Sequence, residues 1–300
     1  MRARAPASSA NLGPGFDALA VALDCYVQVE VEPAPSLRVH SEGEGAGLCD
    51  DASHLAVRVA KAILGHDRIS VMVRSQIPVS RGLGSSAALA AAAAAAAGSD
   101  EPFELAAAWD GHPENAAASV FGGLVAATDV RGRATAVHLP LSRGLAFVVL
   151  VPDRPLVTAE ARAVLPETLS RHDALFNLGR MGLLLAGLAD PSLLTPEATA
   201  DRLHQDARTV LFPEAPALLR ALVESGALAS CWSGAGPSLL GIASEAEAEK
   251  VGAGAQIALD DSGLSGRVLL LRADRQGLVS GDAADMPSPP PWRRSAARAS

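Results

Sequence analysis

Residues 81–98, RGLGSSAALAAAAAAAAG, set two glycines and two serines directly ahead of a long run of alanines. The first N–H groups of a helix have no partners inside it and carry the positive end of its dipole, so a phosphate can dock there. Gly82 and Gly84 would let an anion approach the backbone closely, and the Ser85 and Ser86 hydroxyls could serve a phosphate or a Mg2+ ion. The loop is not a Walker motif, which ends in Gly-Lys-Ser/Thr, because the only lysines are Lys61 and Lys250. Nor does it have the G-x-G-x-x-G spacing of a dinucleotide fold. Taken alone, the stretch leaves a phosphate cradle and a capped small-residue hinge equally open.

Three further segments carry reactive side chains. PASSANLGPGFD (residues 6–17) sets Asn11 and Asp17 on either side of Gly-Pro-Gly, a composition that an ordinary turn shares. GHPENAAASVFGG (111–123) puts His112, Glu114 and Asn115 ahead of a small-residue helix, and SGAGPSLL (233–240) reads as a glycine turn between two strands. By themselves, Arg162 and Arg208 read as solvated helix charge and His112 as a structural hydrogen-bonder.

The frame for these residues follows from periodicity. Strands are predicted at 18–32, 68–77, around a turn at 131–132, at 145–153, on both sides of the 233–238 turn, and at 266–274. Helices are predicted at 53–64 with Ser53 as N-cap, and at 100–111, 158–166, 170–189, 196–207, 214–225 and 245–261. The class is α+β, with a β-ββ-αβ order in the second half. Residues from 280 onward, rich in Pro and Ser and without periodicity, are expected to form a disordered tail.

Bulk properties narrow the function. Apolar residues make up 49% and aromatics only 3%, so the core must be built mainly of Ala, Val and Leu. A formal net charge of −8 argues against a general nucleic-acid or anionic-membrane binder, which needs a basic surface. Cys25, Cys49 and Cys231 are odd in number and lack CxxC pairing, which suits a reducing cytoplasm rather than a disulfide framework or a zinc site. The N-terminus has no secretory apolar region, and the longest apolar run falls short of the roughly 20 residues of a membrane span.

With all four segments in hand, the chain resembles the GHMP kinase superfamily and, within it, the homoserine kinase branch. PASSANLGPGFDALAVALD, IPVSRGLGSSAALA and SGAGPSLL match the three superfamily motifs in order. GHPENAAASVFGGL, TAEARAVLP, FNLGR and DRLHQDAR carry the branch signal, and the likeness covers about residues 3 to 275. The resemblance implies a ribosomal-S5-like N-terminal domain (1–143) and a ferredoxin-like C-terminal domain (144–279), ahead of the tail read from composition (280–300). It implies transfer of the ATP γ-phosphate to the hydroxyl of L-homoserine, with Mg2+. Pro78, Arg81, Gly82, Leu83, Gly84, Ser85, Ser86 and Ala87 would wrap the nucleotide phosphates. Asn11, Asp17, His112, Arg162 and Arg208 would surround homoserine, with Asn11, Thr158, Arg162 and Asn115 at the reacting centre. The expected partners are ATP and homoserine, with a homodimer left open and neither nucleic acid nor membrane.

The chain departs from the pattern in two places. Where the family commonly reads A-E-I-E-G-H-P-D-N, this chain has AAWDGHPEN, so Ala108 stands where the Mg2+ carboxylate is expected. Ser86, Glu104 and Asp110 are the remaining metal candidates. HQDAR replaces a common H-Q-P-Y-R, which changes the support of Arg208. These departures keep two alternatives in view: a GHMP kinase for another hydroxylated metabolite, and a catalytically weak ligand-binding relative.

Overall fold

The computed structural model describes residues 1–281 and opens with a long antiparallel hairpin, in which β1 (Arg2–Asn11) turns into β2 (Gly15–Pro33). Sequence patterning missed β1 because almost all of it is buried on both faces, which erases the period-two contrast. β3 (Arg38–Gly43), also missed, pairs in parallel with β4 (Ile69–Ser75) across α1 (Leu55–Leu64). His54, rather than the expected Ser53, caps α1, its ring accepting the Ala56 N–H. Then follow α2 (Ser85–Ala96), α3 (Pro102–Asp110), α4 (Pro113–Phe121) and the hairpin β5 (Leu124–Val130) with β6 (Arg133–Leu139).

α2 is the core of this half. Nine of its alanines are buried, and it packs against β1, β2, α1, α3 and α4. A helix with methyl groups on every side has no amphipathic stripe, but it lets strands and helices approach closely all round.

The second half begins at β7 (Leu145–Pro152) and continues through α5 (Thr158–Ala163), α6 (Arg171–Ala189), α7 (Gln205–Arg208) and α8 (Ala215–Glu224). It closes with β8 (Ala229–Trp232), β9 (Leu239–Ser244), α9 (Ala248–Asp261) and β10 (Gly266–Arg272). The sheet order β10-β7-β9-β8, antiparallel throughout, is the fourth-first-third-second order of a ferredoxin-like βαββαβ unit. Along β7, Val148 and Leu150 pack into the core with Leu222 of α8 and Leu259 of α9, while Phe147 and Val149 join the core of the first half. The two sheets thus share one apolar interface, and the expected α+β class stands.

Two boundaries differ from expectation. The helix expected at 196–207 is a 3-10 turn (Pro196–Thr199), a loop, and then the four residues of α7. The Asp201 carboxylate breaks it, taking the N–H groups of Leu203, His204 and Gln205 that a continuous helix would use internally. Ser280 and Gly281, assigned to the tail, instead end β11 (Val279–Gly281), which pairs with β1 and returns the chain to the first sheet. The rest of the expected tail, 282–300, lies outside the described residues. Among the described residues no helix is long and apolar enough to cross a membrane.

Candidate active site

The glycine- and serine-rich loop runs from β4 to α2 and is held through its own backbone and the Arg81 side chain. Ser80, Gly82 and Gly84 have φ of 56°, 72° and 62°. A Cβ on Gly82 would lie 2.1 Å from the Ser233 carbonyl oxygen, and one on Gly84 2.0 Å from Ser8 Oγ. The loop is therefore clamped between β1 and the 233–238 turn. Ser8 N–H donates to the Leu83 carbonyl at 3.1 Å, and Ser233 Oγ donates to the Gly82 carbonyl at 2.7 Å. Arg81 anchors the loop to the second half, its Nε and Nη2 donating to the Pro152 and Asp153 carbonyls. No side chain caps α2 and no acidic residue lies in its first turn, so its opening N–H groups are open to an anion.

Beside this loop stands a corner built from side chains. Where β1 passes into β2, Asn11 at the end of β1 and Asp17 near the start of β2 take positive φ, 71° and 53°, a region these residue types tolerate better than most. Asn11 Nδ2 donates to the Gly234 carbonyl at 2.8 Å, and its Oδ1 accepts the Asp17 N–H at 3.0 Å. Arg162, on α5, donates from Nη2 to Asp17 Oδ1 at 2.6 Å and from Nε to His112 Nε2 at 3.1 Å. Because His112 Nε2 accepts, Nδ1 carries the hydrogen and donates to the Asp110 carbonyl at 2.9 Å. The Asp110 carboxylate raises the His112 imidazole above its ordinary value, yet the bond from Arg162 requires the neutral ring. Acid therefore costs this corner its Arg162 contact. Arg208, on α7, is almost completely buried and donates to the carbonyls of Ala161 and Gly234. Burial and the nearby Arg162 charge lower it to about 10, which leaves it cationic near neutrality.

Asn11, Asp17, Arg81, Gly82, Leu83, Gly84, Ser85, Ser86, Asp110, His112, Asn115, Thr158, Arg162 and Arg208 all line one cavity. Three of the expected residues do not. Pro78 borders an adjoining groove, Ala87 is buried under the loop in α2, and Glu104 faces Arg133 on β6. Glu104 is thereby corrected as a metal candidate: it and Ala108 lie on a stretch of α3 that does not reach the cavity.

Glu114 was noted in the sequence but not placed among the site residues. It is 1% exposed, lines the cavity, and its Oε1 accepts from Asn115 Nδ2 at 3.1 Å. Its Oε2 is buried with no hydrogen-bond partner, and burial pushes the carboxyl up to about 7. Sequence shows only an acidic residue in the first turn of this helix, and the burial that turns it into the cleft appears only in the structure. Among the described residues no set of three His, Cys, Asp or Glu side chains converges on one point.

Comparisons with known proteins agree with this geometry. The GHMP kinases N terminal domain family matches residues 54–123, and the GHMP kinases C terminal family matches 176–261. The homoserine kinase of Thermus thermophilus is 40% identical over 254 residues, 81% of this chain and 86% of that protein. That of Mycolicibacterium smegmatis is 42% identical over 265 residues, 80% of this chain and 83% of the other. The crystal structure of homoserine kinase from Cytophaga hutchinsonii superposes with a TM-score of 0.81 at 26% identity, covering 93% of this chain and 96% of that one. The chain belongs to the homoserine kinase family of the ATP-dependent GHMP kinases.

Proposed function

We propose that the chain transfers the γ-phosphate of ATP to the side-chain hydroxyl of L-homoserine, giving ADP and O-phospho-L-homoserine, in a cleft between domains at 1–143 and 144–279. The observation that carries this reading is the Asp17–Arg162 ion pair, which shares one cavity with Arg208 and with the phosphate loop. A free amino acid is a zwitterion, whose ammonium needs an anion and whose carboxylate needs a fork of donors. Asp17 with Asn11 supplies the first, and Arg162 with Arg208 the second. Because the protein already holds opposite charges side by side, an entering zwitterion meets a receiver of matching polarity.

The backbone of residues 82–86 and the open end of α2 take the ATP phosphates. A second groove, separate from the one Pro78 borders, shares Ser80, Ser85 and Ser86 with the cavity, is walled by Leu48, Val79 and Leu89, and takes the nucleoside. The site fits Mg2+: Ser86 and Asp110 line the cavity, and Glu114 Oε2 is a buried oxygen with no protein partner. Mg2+ commonly takes one or two carboxylates and fills its shell with water and phosphate oxygens, so no larger cage is required. When bound, it neutralises charge on the transferring phosphoryl group.

Phosphoryl transfer depends on in-line positioning more than on a strong base. Asn115 fits a passive role, since its Oδ1 accepts from Ser8 Oγ at 2.9 Å and its amide holds Glu114. Thr158, at the start of α5, lines the same cavity as the loop and Arg162 and is assigned to bound the acceptor hydroxyl. The three free cysteines suit a cytoplasmic enzyme. Phosphorus-31 NMR of the protein with ATP, Mg2+ and L-homoserine tests the proposal. The expected product is a phosphomonoester on the homoserine side-chain oxygen, and release of inorganic phosphate alone would contradict it.

A further inference from the structure

Phe16 and His204 do not line the cavity, but Phe16 touches both of the arginines that do, and His204 touches Arg208. The guanidinium carbons of Arg162 and Arg208 each lie 5.5 Å from the centroid of the Phe16 ring. The His204 ring stacks on Phe16, with centroids 5.0 Å apart and planes inclined by 25°. Phe16 is therefore the common neighbour of two cations and one imidazole.

The polarity of that imidazole is fixed by its partners. His204 is 1% exposed, and its Nε2 lies 2.8 Å from the Gly13 carbonyl oxygen. A carbonyl oxygen only accepts, so Nε2 carries the hydrogen and Nδ1 is bare. Nδ1 accepts from Arg208 Nη1 at 3.0 Å. Burial pulls His204 down to about 4, so the ring is neutral at working pH and adds no third positive charge. Arg208 spends Nε on Ala161 and Nη1 on His204 and Gly234, which leaves Nη2 for a ligand.

Two guanidinium groups at one site repel each other, and that repulsion opposes their joint use as a carboxylate fork. An aromatic face attracts cations, and a neutral imidazole nitrogen accepts from one of them. We infer that Phe16 and His204 are positioning residues for acceptor recognition, their stacked rings seating Arg162 and Arg208 so that both meet the acceptor carboxylate. This inference rests on the reading of the two arginines as the carboxylate receiver.

Steady-state kinetics with L-homoserine and with 3-aminopropan-1-ol, which lacks only the carboxylate, test it. Phe16→Leu is expected to raise the KM for homoserine about tenfold, with kcat, the KM for ATP and kcat/KM for 3-aminopropan-1-ol unchanged. Phe16→Tyr, which keeps the ring, restores the homoserine KM. His204→Ala behaves like Phe16→Leu, and His204→Gln, whose amide can donate to Gly13 and accept from Arg208, recovers much of the loss. Equal losses on both acceptors, or failure of Phe16→Tyr to rescue, would overturn the inference. Arg162→Gln separates it from its foundation. If that variant loses homoserine selectively while Phe16→Leu and His204→Ala do not, the positioning role alone fails. If Arg162→Gln treats both acceptors alike, the carboxylate reading fails and the inference falls with it.

Discussion

The two sides of the cleft are made of different material. On the proposed nucleotide side the surface is backbone: three positive-φ residues, an uncapped helix end, and glycines pressed against Ser8 and Ser233. On the acceptor side it is charge on side chains delivered by four separate segments: the β1–β2 turn, the loop before α4, α5 and α7. The backbone side tolerates no added atom, whereas the side-chain side is sensitive to the identity of each functional group. Substitutions should therefore fail in different ways on the two sides.

Gly82→Ala is expected to have the largest effect. The added Cβ meets a backbone carbonyl that cannot swing away, at a φ that disfavours any side chain. Turnover should fall by about 100-fold or more, since misplacement of a binding loop by about 1 Å costs that much. An ADP-release assay checks this, and near-normal turnover would mean that the loop is not clamped.

Glu114→Gln acts on stability and has a defined sign. Burial raises this carboxyl from 4.5 to about 7 in the folded protein. The folded state then holds the proton more tightly, so the wild type loses stability as pH rises from 4.5 towards 7, by roughly 3 kcal/mol. Relative to wild type, the glutamine variant should gain stability between pH 5 and pH 8. Denaturant unfolding at both pH values, without Mg2+, measures it, and a difference independent of pH would refute the raised value.

Asp17→Asn keeps the shape of the acceptor corner and removes its negative charge. A hydrogen bond to a charged group is worth about 1.5–3 kcal/mol, so the KM for homoserine should rise about 10- to 100-fold with the KM for ATP unmoved. An equal rise in both constants would erase the distinction between the two sides. Glu104→Gln should do least: its partner is Arg133 on the outer face of β6, so the Mg2+ activation curve stays where it is. A displaced curve would return Glu104 to the metal.

The same contrast governs what could be read from sequence. The phosphate loop is local, and its chemistry lies in consecutive residues, so glycines followed by a helix-forming run suffice to raise it. The acceptor corner is not local. Asp17 and Arg162 are separated by 145 positions and meet only in the tertiary structure, so motif resemblance rather than residue chemistry indicated them. Glu104 was overvalued because helical spacing relates it to Ala108 but does not say which face of α3 meets the cleft. Glu114 was undervalued because an exposed first-turn acid and a buried one look alike in sequence. β1 escaped because burial on both faces removes the alternation by which strands are recognised.

The most direct test of the zwitterion receiver is acceptor selectivity, measured by ADP release with L-homoserine against 3-aminopropan-1-ol and 4-hydroxybutyrate. The first analogue lacks the carboxylate and the second lacks the ammonium. With each charged contact worth about 1.5–3 kcal/mol, kcat/KM for homoserine should exceed that for either analogue by about tenfold or more. Comparable values for all three would contradict the assignment of Asp17, Arg162 and Arg208.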